Sequence, residues 1–329
     1  VASTFLKATV IGRAMIDLLM RELVVARTVW TDAVSAVEWE GAFGDTVTVR
    51  VPARRTARTR VLRAGTAIIA DDSNEFGVPI TLDTDVYNAA NITDEQLTLD
   101  IVDFGRQVLA PQIRAVAEGV EDAIAAQIVG APYEADHTID ADLFTSTSAH
   151  DWYKIANRAR KILNDSFVPK ANRWLLVGSS VEEDILNNDK FIRFDSIGAS
   201  AEDALREASI GRIAGFTVLQ SNAIPETDAY AYHKSAFILG TKAPKVPQGA
   251  AFAQGVSLGQ AEQMGAQSGL NGVNARWLMD YDFTNTTDRS LVDTYVGTGV
   301  VTEPEDITDP DSDMALVRAV RISGGGASS

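Results

Sequence analysis

Between Pro111 and Gly130 the sequence PQIRAVAEGVEDAIAAQIVG keeps Ile113, Val116, Val120, Ile124 and Ile128 on one helical face. At ~1.5 Å per residue this predicts a rod of about 25 to 30 Å, the longest rigid element the chain can build. A capping-box pattern, Thr93 followed three residues later by Gln96, marks a helix start upstream of it.

The segment before the rod has the other regular period. FGDTVTVRVPAR at 43–54 alternates Val47, Val49 and Val51 with Thr48 and Arg50, as a half-exposed strand does, and Pro52 suits an edge. A second strand-like run, VPITLDTDVYNAANI at 78–92, returns from it. The two predict a long antiparallel hairpin with RAGTAIIADDSNEFG at its tip, too polar and glycine-marked to be core. This hairpin carries Arg50, Arg54, Arg55, Arg58, Arg60 and Arg63 in a chain whose formal net charge is −16. The remainder is therefore about 22 charges negative. So concentrated a basic arm suits an acidic partner, either nucleic acid or a neighbouring copy of the chain, or else it is a solvated strand face. No aromatic residue lies between Phe43 and Phe76, which argues against stacking on single-stranded bases.

Elsewhere Ile11, Met15, Leu18, Leu19 and Leu23 predict an amphipathic N-terminal helix; Lys7, Arg13, Asp17, Arg21 and Glu22 leave it no uninterrupted signal core, and it reads as too short to span a bilayer. Residues 131–150 lose periodicity and read as a loop. DWYKIANRARKILND then gives a helix with Trp152, Ile155, Ala159, Ile162 and Leu163 in its stripe. RWLLVG reads as a buried strand, and Ser180 with Glu183 gives a capping box for the next helix. Strand, cap and helix in that order make an α/β layer, continued by strands at 216–222 and 229–239.

With 46% hydrophobic and 22% charged residues the chain can bury a sizeable core, but its motifs for chemistry are few. There is no cysteine, no P-loop, no G-x-S-x-G elbow, and only His137, His150 and His233 as imidazoles. His137 beside Asp136, Asp140 and Asp142 reads as solvated loop charge. Asp309, Asp311 and Asp313 imitate a calcium loop until Met314 and Val320 occupy its glycine and glutamate positions. Glu182 and Glu183 lie at a helix start, where the dipole accounts for them. No catalytic, cofactor or metal residue is expected.

The order of segments resembles the major capsid proteins of tailed bacteriophages with the Hong Kong 97-type fold, nearest in look to the short-tailed phage branch. STFLKATVIGRAMIDLLMRELVVARTV, GDTVTVRVPARRTAR and LTLDIVDFGRQVLAPQIRAVAEGVEDAIAAQI look like the N-terminal arm, extended loop and spine helix of that family. IGRIAGFTV with SN and IP following is similar to its axial domain, and GLNGVNARWLMDYDFTNTTDRSLVDTYVGTGVV to its last peripheral strands. The resemblance implies an α+β capsid fold divided into an arm (1–42), an extended-loop hairpin (43–92), a peripheral domain with the spine helix (93–150), an axial domain (151–240), peripheral return strands (241–302) and a C-terminal tail (303–329). It implies a structural protein, not an enzyme, that self-assembles into the icosahedral shell of a virion around double-stranded DNA, in the host bacterial cytoplasm. The partners it implies are copies of the chain in hexamers and pentamers, scaffolding and portal proteins, a cement protein, and DNA held without sequence specificity; no membrane is involved. In this reading Arg50, Arg54, Arg55, Arg58, Arg60, Arg63, Ile68 and Ile69 contact a neighbouring subunit. The family's large inserted axial domain finds no room here. Its lysine-based crosslink has no lysine between Lys7 and Lys154 to use. An encapsulin-type nanocompartment shell is the rival within the fold, and an α+β enzyme the rival outside it.

Overall fold

The computed structural model describes residues 23–31, 33, 46–52, 57, 59–63, 67, 68, 75–96, 104–146, 149–187, 211–245, 252–257, 274–282, 284–304 and 313–324. In chain order the elements are strands β1 (Thr46–Pro52), β2 (Glu75–Thr81) and β3 (Thr84–Thr93), helix α1 (Ala110–Val129), strands β4 (Thr138–Asp140), β5 (Thr145–Ser146) and β6 (Ala149–His150), and helix α2 (Trp152–Asp165). Strand β7 (Arg173–Val177), helix α3 (Ser179–Leu186) and strands β8 (Arg212–Ile213), β9 (Phe216–Gln220), β10 (Ala229–His233) and β11 (Phe237–Lys242) follow. The chain continues through β12 (Phe252–Ser257), β13 (Asn274–Asp282), β14 (Thr287–Val300), β15 (Glu303–Pro304), β16 (Met314–Ala315) and β17 (Ala319–Ser323).

Helix α1 is the expected rod. A π-helical turn at Gly105–Leu109 leads into it, Pro111 sits in its first turn, and Ile113, Val116, Val120, Ile124 and Ile128 are all buried. Its stripe lies in one continuous core with Trp277, Val292 and Val296 of a five-stranded sheet and with Leu176, Tyr230 and Tyr232 of a six-stranded sheet. The Thr93–Gln96 capping box forms reciprocally. The Thr93 amide donates to Gln96 Oε1 at 3.1 Å and the Gln96 amide to Thr93 Oγ1 at 3.2 Å.

The five-stranded sheet is organised on β14, which pairs antiparallel with β3, β13 and β11 while β12 extends it beyond β13. The six-stranded sheet runs β4-β17-β10-β7-β9-β8. Period two decides what each face of it meets. Ala229 and Ala231 face α2 and α3 together with Leu175 and Val177, while Tyr230, Tyr232 and Leu176 face the α1 side. Trp152, Ile155, Ala156, Ala159 and Leu163 of α2 are buried in that second core, and Ile162 packs half-buried against it.

Four expectations about where strands and loops lie need correction. The run 78–92 is two strands: β2 pairs with β1, while β3 leaves the hairpin and pairs with β14 beneath α1. Residues 229–239 also divide, at a 3₁₀ turn over Lys234–Ala236, so that β10 and β11 belong to different sheets. The segment 131–150 contains β4, which pairs parallel with β17. The supposed C-terminal tail contains β17, inserted between β4 and β10 with Ala319, Val320 and Ile322 buried; its alternating apolar residues fill a slot in the sheet that no other segment occupies.

The capping box expected at Ser180 and Glu183 does not form, because Gly178 is the N-cap of α3 and the Ser180 amide donates to the Glu226 carbonyl at 3.2 Å. A side chain at Gly178 would come within 2.4 Å of the Pro225 and Glu226 carbonyls, so the position needs glycine. The predicted N-terminal helix lies outside the described residues, apart from Leu23, which is buried.

Candidate inter-subunit surface

The β1–β2 hairpin is a two-stranded sheet in the register Val49↔Val78 and Val51↔Phe76. Its two faces follow the sequence. Val49, Val51, Val78 and Ile80 form a small core with Ile238 and Val301, while Thr48 and Arg50 stand exposed on the opposite side. The hairpin lies against β14 at a pair of alternate glycines. A Cβ on Gly297 would meet the Thr81 carbonyl oxygen at 2.4 Å, and one on Gly299 would meet Ile80 at 3.1 Å. The segment YVGTGV therefore admits a strand above it at a separation that larger side chains would prevent. The alternating, charge-rich pattern of residues 45–92 predicts a projecting hairpin with few contacts to its own subunit; its base is instead packed onto the body.

Beyond Pro52 the character changes. Every described residue there is exposed: Ala57, Thr59, Arg60, Val61, Leu62, Arg63, Ala67 and Ile68. Val61 is 76% exposed, Leu62 88% and Ile68 76%, values that leave these apolar side chains with almost no intramolecular cover. Arg63 turns the chain in the left-handed region, at φ 69°. Of the candidate contact residues, Arg50, Arg60, Arg63 and Ile68 are thus on the surface, and Arg54, Arg55, Arg58 and Ile69 lie outside the described residues. Sequence reasoning passed over Val61 and Leu62, although RVLR, two apolar residues between two arginines, was the available signal.

It also passed over Glu121. This residue lies on the buried side of α1, and its carboxylate accepts the amides of Val24 at 2.6 Å, Val25 at 2.7 Å and Ala26 at 3.1 Å. Burial pushes its pKa up, against the opposing effect of the three amides and of Arg27. The N-terminal segment is held a second time where Trp30 forms a bridge to Ile238, its amide donating to the Phe237 carbonyl at 3.0 Å. Thr28 Oγ1 lies 2.6 Å from the hydroxyl of buried Tyr232.

The histidines are built into the fold. His137, expected as solvated loop charge, is buried with Nε2 3.2 Å from Ser166 Oγ. His150 stands between Asp184, 2.9 Å from Nδ1, and Asp142, 3.1 Å from Nε2. Burial alone would lower its pKa, but the hydrogen bonds and charges of the two carboxylates leave it raised. Among the described residues no group of three or more His, Cys, Asp or Glu side chains is arranged to hold a metal.

No family model matches the chain, and no curated protein matches it in sequence. Solved structures do match the fold. A structure from Mycobacterium phage Che8 superposes with TM-score 0.57 at 18% identity, covering 92% of each chain. The capsid of the cyanophage P-SCSP1u gives 0.59 at 12% identity, over 92% of this chain and 88% of that one. The capsid of Ralstonia phage GP4 gives 0.55 at 11% identity, over 88% and 86%. Along about nine-tenths of its length the chain has the α+β fold of phage capsid structures, the Hong Kong 97-type fold that its segments resemble.

Proposed function

We propose that this chain is the major capsid protein of a tailed bacteriophage, self-assembling into an icosahedral shell around double-stranded DNA. The observation that carries the reading is a capsid fold along about nine-tenths of the chain, combined with a hairpin whose base is packed and whose tip presents arginine and bare apolar side chains. In a shell of identical acidic bodies, the tip of one copy meets the carboxylates and carbonyls of the next. Arg50, Arg54, Arg55, Arg58, Arg60 and Arg63 supply the charge; Val61, Leu62, Ile68 and Ile69 supply apolar area. Such exposed pairs are worth only ~0 to 1 kcal/mol each, so the grip comes from burial and repetition around rings of heterologous contacts.

Under this reading α1 is the spine of a peripheral domain, the six-stranded sheet is the axial domain, and the chain acts through contacts and not through catalysis. No described helix is long and apolar enough to cross a membrane. Hexamers and pentamers, scaffolding, portal and cement proteins are the partners such a shell would take, and the virion, assembled in the host cytoplasm, is its place.

The test is electron microscopy of the purified chain and of particles from its source. Closed shells containing genomic DNA are expected. A chain that stays monomeric at every concentration and salt, or shells filled with a protein cargo, as an encapsulin would give, would overturn the proposal. The shell should also hold without covalent bonds, since the chain has no cysteine and residues 8–153 have no lysine. Mature particles boiled in detergent should run as one band of 35.3 kDa, and a ladder of multimers would refute this.

A further inference from the structure

One end of the six-stranded sheet gathers cations in a chain that is otherwise strongly acidic. The parallel strands β7 and β9 begin there, β10 ends there, and β17 begins there, so Arg173, His233 and Arg318 come together, with Arg173 directly opposite His233 in the strand register. The Arg318 carbonyl accepts the His233 amide at 3.1 Å, and the Arg318 guanidinium donates to Ser235 Oγ. On the far side of Arg173, Arg160 of α2 lies over the β8–β9 turn, its guanidinium 3.9 Å from where a Cβ on Gly215 would be. Arg212 stands on β8 opposite Thr217, at the start of β9.

The charges along this ridge are poorly answered. Glu303 pairs with Arg318. Arg173, only 3% exposed, donates to the carbonyls of Val168 at 2.6 Å and Pro169 at 2.8 Å; none of its described partners is a carboxylate. Arg160 and Arg212 are exposed, and neither is paired with a carboxylate among the described residues. Burial first, and then the charges of Arg318 and Arg173, drive the pKa of His233 down to about 4, against the opposing effect of Glu303. An anion brought against exposed guanidinium groups such as Arg160 and Arg212 is attracted by the summed positive field of the ridge.

We propose that the exposed Arg160 and Arg212, with buried Arg173 and Glu303-paired Arg318 behind them, form a docking surface for the acidic face of a second copy of the chain. The inference rests on the shell reading above, which gives each copy neighbours. Charge complementarity identifies the occupant: with a net charge of −16, every copy offers carboxylates in excess, among them Glu118 and Asp122 on the exposed side of α1 and Asp94, Asp280, Asp282 and Asp288 at one end of the five-stranded sheet. It also fixes the kind of contact. A basic ridge placed against itself would repel, so what it meets on the second copy is the acidic surface and not the same ridge; in a ring of copies that contact runs head to tail.

The test is the double variant Arg160→Glu/Arg212→Glu, with Arg160→Gln/Arg212→Gln as the milder form should reversal disturb folding. Both side chains are exposed, so circular dichroism and melting temperature should match the parent. Sedimentation velocity and light scattering then give the concentration at which each chain assembles. At low salt the reversal should raise that threshold at least about tenfold and the neutral pair should fall between. In about 1 M NaCl, where the Debye length is about 3 Å, the three should converge. Superimposable thresholds at low salt would sink this surface while leaving the shell reading intact; a parent chain that never assembles would sink both. A fluorescent DNA duplex serves as the probe for phosphate. Patch-dependent binding of that duplex with assembly unchanged would overturn the proposal in favour of nucleic acid.

Discussion

The six-stranded sheet and the β1–β2 hairpin use the same alternation of apolar and polar residues, but they are covered in different ways. The sheet has α2 and α3 on one face and the α1 core on the other, with Phe216, Trp152, Tyr230 and Tyr232 almost completely removed from water. The hairpin has one face of its base, at Val49, Val51, Val78 and Ile80, against Ile238 and Val301. Two strands alone are marginal in water, and the small core at the base is what fixes this pair. The contrast separates residues that stabilise the monomer from residues whose partner lies outside it, and substitutions should follow that division.

The largest effect is expected in the sheet. Phe216→Ala removes a ring with no exposed area from the core between the sheet and its helices, and should cost about 3 to 5 kcal/mol in chemical denaturation. A loss under about 1 kcal/mol would mean that this core is not close-packed. At the hairpin base, Ile80→Ala should cost about 2 to 4 kcal/mol of local stability. Its signature differs, since hydrogen exchange should accelerate in β1 and β2 while β7 and β10 keep their protection. Acceleration throughout would show the hairpin to be part of the global folding unit and erase the contrast.

A smaller effect should appear in the pH dependence of the sheet module. The His150 pKa is raised in the folded chain, so its clasp between Asp142 and Asp184 contributes fully below the unfolded value near 6.5 and is lost as pH rises through the folded value. His233 acts in the opposite direction. Its folded pKa of about 4 lies below the unfolded value, so stability falls as pH drops from about 6.5 toward 4. Denaturation midpoints should pass through a maximum, with His150→Asn flattening the alkaline side and His233→Asn the acid side. A profile unchanged by either substitution would remove both imidazoles from the account.

The rod was legible because five apolar residues at helical spacing leave no competing period, and the Thr93–Gln96 box because both partners are local. The division at Lys234–Ala236 was hidden, since Tyr232 and Phe237 are both apolar and only the polar HKS between them marks the change of sheet. β17 was hidden for another reason: AVRIS is too short to be distinctive, and its burial is decided by the slot between β4 and β10, far away in sequence. The hairpin tip was readable as surface, because arginines and glycines exclude a core. The basic ridge was not, because Arg160, Arg173, Arg212 and Arg318 come from four elements and meet only in the folded sheet.

The smallest effect on the monomer is expected at the tip, and there the comparison becomes sharpest. Leu62 and Ile68 are 88% and 76% exposed, so Leu62→Ala/Ile68→Ala removes apolar area that the isolated chain leaves in water. Its unfolding free energy should stay within about 0.5 kcal/mol of the parent. In a shell the same side chains would be covered by a neighbour, where burying a leucine or isoleucine contributes about 1.5 to 3 kcal/mol. Their loss, repeated at each contact, should raise the assembly threshold at least about tenfold. Arg54→Ala/Arg55→Ala/Arg58→Ala should impair assembly as well, most strongly at low salt, whereas the apolar pair should be insensitive to salt. A salt-dependent loss in the one and a salt-independent loss in the other would divide the tip into a steering part and a gripping part. If both variants assembled as the parent does at all salt concentrations, the tip would be a solvated strand end and the hairpin's role would finish at Pro52.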